Sequence, residues 1–138
     1  MKKIVLISLC LIFSLSSFAQ KDKLTLVKDG KSDYVIVIPH DHSEWIKYSA
    51  ELLQKDIYKV SNCLIPIVTD KEKPKKKEIC ISFSDRYDPD MMMLGYGYEV
   101  YTEGEKIFIH GDDIFLPDEH YAVVDFLEKH IGIRKFTP

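Results

Sequence analysis

His40 and His42 bracket Asp41 in the stretch Pro39-His40-Asp41-His42-Ser43. Alternate residues of an extended turn point the same way, so the two imidazoles are placed to share a metal ion if His110 or His120 converges to complete the ligand set. The same residues also read as a polar turn leading into a helix, capped by Asp41 or Ser43. Asp85, Asp88, Asp90 and the pair Asp112-Asp113 are calcium-type ligands, but their spacing lacks the glycine and terminal glutamate of a Ca²⁺ loop and suits solvated loops. Gly95-Tyr96-Gly97 leads into a strand rather than into the helix N-terminus that a phosphate cradle needs. The serines lack a G-x-S-x-G elbow, and no pair of carboxylates straddling a glycosidic bond is identifiable from spacing. Trp45, Tyr96, Tyr98 and Tyr101 offer the flat faces on which sugar rings stack, although aromatics at such spacing more often build cores. No residue is therefore assigned as catalytic, metal-ligating or cofactor-binding.

The elements that would carry these residues are readable from periodicity. Leu24–Val27 alternates as a short strand closed by Asp29-Gly30, and Tyr34–Pro39 is a continuous apolar run of the kind covered on both faces of a sheet. A helix is predicted from about Glu44 to Val60, ended by Asn62 in a left-handed conformation. Leu64–Val68 follows as a strand that Pro66 moves towards an edge, and Glu78–Ser84 as a strand with Ile79, Ile81 and Phe83 on one side and Cys80, Ser82 and Ser84 on the other. Tyr96–Thr102 and Lys106–His110 form a hairpin around Glu103-Gly104-Glu105. A second helix starts at an Asp118 cap and ends at Gly132, with Ile133 placed for a Schellman-type contact. The order β-β-α-β-β-β-β-α predicts an α+β domain, a mixed and mostly antiparallel sheet with two helices packed on one face.

Met1–Ala19 has the features of an export signal, with Lys2 and Lys3 before an apolar run and Ser17-Phe18-Ala19 as a cleavage site. The expected location is periplasmic or secreted. The apolar run is about 10 residues, too short for a membrane span. Without the signal, 17 basic residues remain of 19 against 22 acidic ones, and the formal charge moves from −3 to −5. An acidic chain with no basic stripe excludes nucleic acid as the expected partner. The basic cluster Lys71–Lys77 carries a proline and a glutamate and reads as a solvated loop between strands. Cys63 and Cys80 remain in the exported chain; a disulfide is open to them, but two small strand residues is the preferred reading.

Both helices carry apolar arcs wider than one sheet face needs: about 200° against about 100°. The excess predicts a second packing partner beyond the sheet, in part the other helix and in part a neighbouring domain. The closing stretch shows what kind of domain. YEVYTEGEKIFIHG followed by HYAVVDFLEKHIGIRKFTP resembles the N-terminal α/β (hexosaminidase domain 2-like) domain that precedes the barrel in α-glucuronidases, β-N-acetylhexosaminidases and related exported bacterial glycoside hydrolases. The matching residues are Tyr121, Phe126, Leu127, Glu128, Gly132, Arg134, Phe136 and Pro138, with Ala50, Glu51, Leu52 and Leu53 in the first helix. The chain departs from the family pattern at Leu116–His120, where glycine and a small residue are usual, and at Lys135, where an aromatic is common.

This resemblance implies a non-catalytic accessory domain whose helices lie between its sheet and a catalytic (β/α)₈ barrel, in cis or in trans, in the degradation of xylan or an amino-sugar glycan. In that family the acid, base and sugar-binding groups come from barrel loops, so none carries over to this chain. The residues expected at the interdomain contact are Trp45, Tyr48, Leu52, Val123, Phe126, Arg134 and Phe136. The sequence stops where its exit would lead into a following domain, so separation from the barrel by truncation, a split gene or domain loss is expected. The alternative is a free-standing exported module that binds a glycan or a protein. An enzyme in its own right is the third reading.

Overall fold

The structure, a computed structural model, describes residues 23–87, 97–111 and 118–134. The segment expected to be an export signal, Asp88, Asp90, Gly95, Tyr96, Asp112, Asp113 and Phe136 lie outside the described residues.

The chain folds as α+β. Five strands, β1 (Val35–Ile38), β2 (Ile67–Thr69), β3 (Glu78–Ile81), β4 (Tyr98–Glu103) and β5 (Lys106–Gly111), form one sheet in the order β2-β1-β3-β5-β4. Helix α1 (Glu44–Ser61) joins β1 to β2, and helix α2 (Asp118–Phe126) follows β5 and runs into a π-wound turn, Leu127–Ile131. Both helices contribute to a single core cluster with one face of the sheet. Ile36, Ile38, Ile79, Ile81, Ile107 and Ile109 there meet Ile46, Ala50, Leu53 and Ile57 of α1, together with Ala122, Val123 and Phe126 of α2.

The expectation of a mostly antiparallel sheet needs correction. β2, β1, β3 and β5 run parallel, and only the β4–β5 hairpin is antiparallel. The physical reason lies in the strands themselves: every residue of VIVI in β1 and of EICI in β3 is buried, as strands covered on both faces must be. The strand expected at Leu24–Val27 does not form. Leu24, Leu26 and Val27 pack against the core, and an isolated bridge between Lys28 and Lys31 closes the turn that follows.

Local chemistry sets the helix ends. Ser43 is the N-cap of α1, its hydroxyl accepting from the Ile46 N–H at 3.3 Å, and Asn62 closes the helix with φ 55°. Gly132 terminates the π-wound turn at φ 83°, a backbone region that side chains disfavour, and the Ile133 N–H donates back to the Leu127 carbonyl at 3.0 Å. Asp118 is the first residue of α2 itself rather than its cap.

The second face of the sheet carries Val35, Val37, Cys80 and Phe108 as a smaller core, with Val68 and Tyr101 against it. The segment after β3 folds over this face. Ser82 makes that reversal with φ 63°, a left-handed conformation for a residue with a side chain. Its consequence is that Phe83 leaves the face of Ile79 and Ile81, where alternation placed it, and stands beside His110 instead.

Candidate functional site

At the C-terminal ends of the parallel strands, Asp70 is the point where three connections meet. Its carboxylate accepts from the His40 N–H at 2.9 Å and from the Asp85 N–H at 3.0 Å, and stands 3.1 Å from His40 Nδ1. Burial alone would raise its pKa, but these hydrogen bonds outweigh it and hold the carboxyl below its ordinary value. His42 turns its Nδ1 to the Ser43 carbonyl at 3.2 Å, so the two imidazoles flanking Asp41 take separate partners. Asp85 forms an exposed ion pair with Lys71 at 3.6 Å. Among the described residues no group of three or more His, Cys, Asp or Glu is placed to hold a metal ion.

A second polar cluster lies on the outer face of the sheet, and little in the residue pattern signals it. Glu78, at the start of β3, is buried with its carboxylate 2.8 Å from Lys106 Nζ and 3.3 Å from Arg86 Nε. It also accepts the Lys75 N–H at 2.8 Å. Arg86 Nη1 donates to the Asp70 carbonyl at 2.8 Å and Nη2 to the Glu72 carbonyl. Burial tends to raise the Glu78 pKa; Lys106, the Lys75 N–H and Arg86 together bring it below the usual carboxylate value. This arrangement ties the lysine-rich loop, β3 and β5 together, and its groups are saturated by one another. It is a structural clasp.

Further along the same face His110 is 1% exposed, and neither ring nitrogen has a hydrogen-bond partner among the described residues. Rings surround it: Tyr87 at 4.9 Å, Phe83 and Tyr101 at 5.2 Å each. Tyr101 stacks on Phe108 with ring centroids 5.0 Å apart. Burial pushes the Tyr101 phenol up to about 12 and the Cys80 thiol, in the same layer, also up to about 12. Cys63 and Cys80 are both free thiols and both buried.

On the opposite side, the outer surface of the helix layer is aromatic. Trp45 is 58% exposed, Tyr48 52% and Tyr121 53%. Trp45 meets Tyr48 edge to face at 6.3 Å, Tyr48 lies 5.4 Å from His120, and His120 lies 6.2 Å from Tyr121, so the rings form a row crossing from α1 to α2. Glu44, Trp45, Tyr48 and His120 line an open hollow of about 570 Å³. Tyr98 and Tyr101 alternate across β4, and Tyr101 belongs to the outer-face core, so Trp45 and these tyrosines do not make one sugar-stacking surface.

A search against protein-family models found no match, and a search of curated proteins found none either.

The residues expected at an interdomain contact divide clearly. Trp45 and Tyr48 are on the surface, and Arg134 is exposed beside Glu128 at 3.6 Å. Leu52 is half-buried against the core. Val123, at 0% exposure, and Phe126, at 4%, are consumed by this chain's own core and offer nothing to a partner. Tyr121 takes the place expected of Val123 in the surface patch. Its position on the helix, two residues earlier, was the available signal, because the width of an apolar arc does not tell which part of it faces the sheet.

Proposed function

We propose that this chain is a non-catalytic accessory α/β domain of the kind that braces a glycoside-hydrolase barrel, and that it docks through the outer surface of its two helices. One observation carries the reading: Trp45, Tyr48 and Tyr121, each more than half exposed, stand together across α1 and α2, while Ile46, Ala50, Leu53 and Ile57 of α1 and Ala122, Val123 and Phe126 of α2 serve the internal core. Large aromatics left in contact with water on adjacent elements are what an interaction surface requires. The fold agrees with the resemblance in its mixed sheet and in having both helices on one face. The polar clusters described above are engaged in holding the fold, which fits a domain that leaves the chemistry to its partner.

The test is to co-express the chain with glycoside-hydrolase barrels encoded in the same genome and to measure co-purification and binding. Trp45 is the only tryptophan, so its fluorescence reports directly on the surface concerned. Capture of a barrel with a blue shift of that emission, and weakening by about tenfold or more in Trp45→Ala, is expected for an aromatic anchor. Failure to bind any barrel, with Trp45 emission unchanged, overturns the reading.

A second reading draws on the open hollow beside Trp45 and Tyr48, whose size lies within the range of small-ligand sites. It makes the chain a free-standing glycan-binding module. Xylan and chitin oligosaccharides titrated into the chain, with the same fluorescence readout, separate this reading from the first.

A further inference from the structure

We infer that His110 is a pH-operated side-chain switch, packed neutral in its aromatic cage at pH 7 and above and turned out towards Glu99 when protonated. A buried polar group without a hydrogen bond is uncommon and costly in a folded protein. His110 has two such atoms, at 1% exposure, among the rings of Phe83, Tyr87 and Tyr101. A neutral imidazole tolerates that setting far better than an imidazolium, whose charge would be stripped of water. The only charged group paired across from it is Glu99. The two residues are direct partners in the β4–β5 register, and Glu99 is exposed at the sheet edge. Side chains opposite one another in an antiparallel pair are close enough to interact, so a protonated His110 needs only a change of rotamer to reach a carboxylate.

The surrounding groups leave no competing partner among the described residues. On β4, Tyr101 faces the ring and its phenol stays protonated, its pKa raised by burial. From the turn after β3, Tyr87 contributes its ring, while Asp85 and Arg86 are engaged with Lys71 and Glu78. On β3, the Cys80 thiol is likewise neutral. Glu119, on the helical side, receives the Ser82 hydroxyl at 3.0 Å. Burial lowers the His110 pKa and Glu99 opposes that effect. A histidine with a lowered folded pKa contributes stability that is complete above about 6.5, the unfolded value, and that is lost as the pH falls through the folded value. The caged state therefore gives way on acidification below neutrality. Arg86 pins the middle of the covering turn, so the motion is confined to His110 and to the Phe83 and Tyr87 rings.

The experiment follows the His110 ring protons of the purified chain by NMR from pH 8 to 4.5, together with the aromatic protons of Phe83, Tyr87 and Tyr101 and hydrogen exchange across β4 and β5. The expected result is a single titration below 6.5 in which the His110 and neighbouring ring signals move together. The open-to-caged ratio should rise by up to about tenfold per pH unit, the limit for one proton. His110→Phe, which fills the cage without a titrating group, should remove the transition from the ring signals. Glu99→Gln should keep the fold and move the transition to lower pH. If His110→Phe does not fold, the Glu99→Gln shift decides by itself. A His110 that titrates at or above 6.5, ring signals that do not follow it, or a transition unmoved in Glu99→Gln overturns the inference.

Discussion

Arg86 Nε lies 3.3 Å from each carboxylate oxygen of Glu78. The remainder of the guanidinium holds the carbonyls of Asp70 and Glu72, so one side chain fixes the start of β3, the lysine-rich loop and the turn that covers the outer face. Both partners are almost wholly removed from water. Removing Arg86 leaves the buried Glu78 with Lys106 and the Lys75 N–H as partners and takes a donor from each of the carbonyls of Asp70 and Glu72. Arg86→Ala is expected to cost about 3 kcal/mol in urea unfolding. Arg86→Lys should recover less than half of that, because an ammonium cannot reproduce the fork that reaches two carbonyls and a carboxylate together.

Asp70 and Glu78 give the fold an acid-sensitive limit of their own. In both, burial raises the pKa, but hydrogen bonds and, for Glu78, the neighbouring cations outweigh it, and both end below their ordinary values. A carboxylate with a lowered folded pKa contributes stability that is present above its unfolded value, about 4, and is lost as the pH falls through the folded value. Thermal melts by circular dichroism from pH 7 to pH 2 should show this loss below about pH 4. Asp70→Asn should be less stable at pH 7 and lose less on acidification. This window opens below about pH 4, whereas the one assigned to His110 opens below about 6.5, so the two effects begin at different points on the pH axis.

Gly111 ends β5 directly against the start of α2. A Cβ at that position would overlap the Cβ and backbone carbon of Asp118 and the backbone nitrogen of Glu119. Backbone cannot yield as a flexible side chain can, so α2 would have to move. Gly111→Ala should cost about 1–3 kcal/mol, the usual range for overpacking, read as a lowered melting temperature with loss of exchange protection in α2.

Cys80 should behave as an inert thiol. It is buried in the outer-face core and its pKa is pushed up to about 12, so at pH 8 almost none of it is the nucleophilic thiolate. A thiol-specific reagent should label neither Cys63 nor Cys80 in the folded chain within minutes, and both after unfolding in urea. Rapid labelling of Cys80 in the native state would contradict the burial described.

What could be read in advance was mostly what is local. Asn62 and Gly132 mark helix ends through their own backbone chemistry and act where they were expected to, and of the two cap candidates before α1 it is Ser43, not Asp41, that caps. The two helices and the β4–β5 hairpin follow from periodicity. Strand direction did not follow, because whether two strands run parallel depends on where the crossover returns, and a loop such as Asp70–Lys77 carries no mark of that. Phe83 was misplaced because Ser82 adopts a positive φ, and serine is not the residue that signals such a reversal. Arg86 and Glu78 are eight residues apart and meet only because of it. Val123 and Phe126 show the same limit in a helix: their burial depends on how α2 is rotated on the sheet.

The strand order has a consequence for how the chain assembles. β5, the last strand in sequence, occupies the position between β3 and β4, and β4 pairs only with it among the described residues. Until the segment up to Gly111 has been made, β3 presents a raw edge and β4 has nowhere to attach. Assembly of this sheet is therefore keyed to the arrival of its closing piece, and a nascent chain halted before Lys106 should be the form most prone to capture by other unfinished strands.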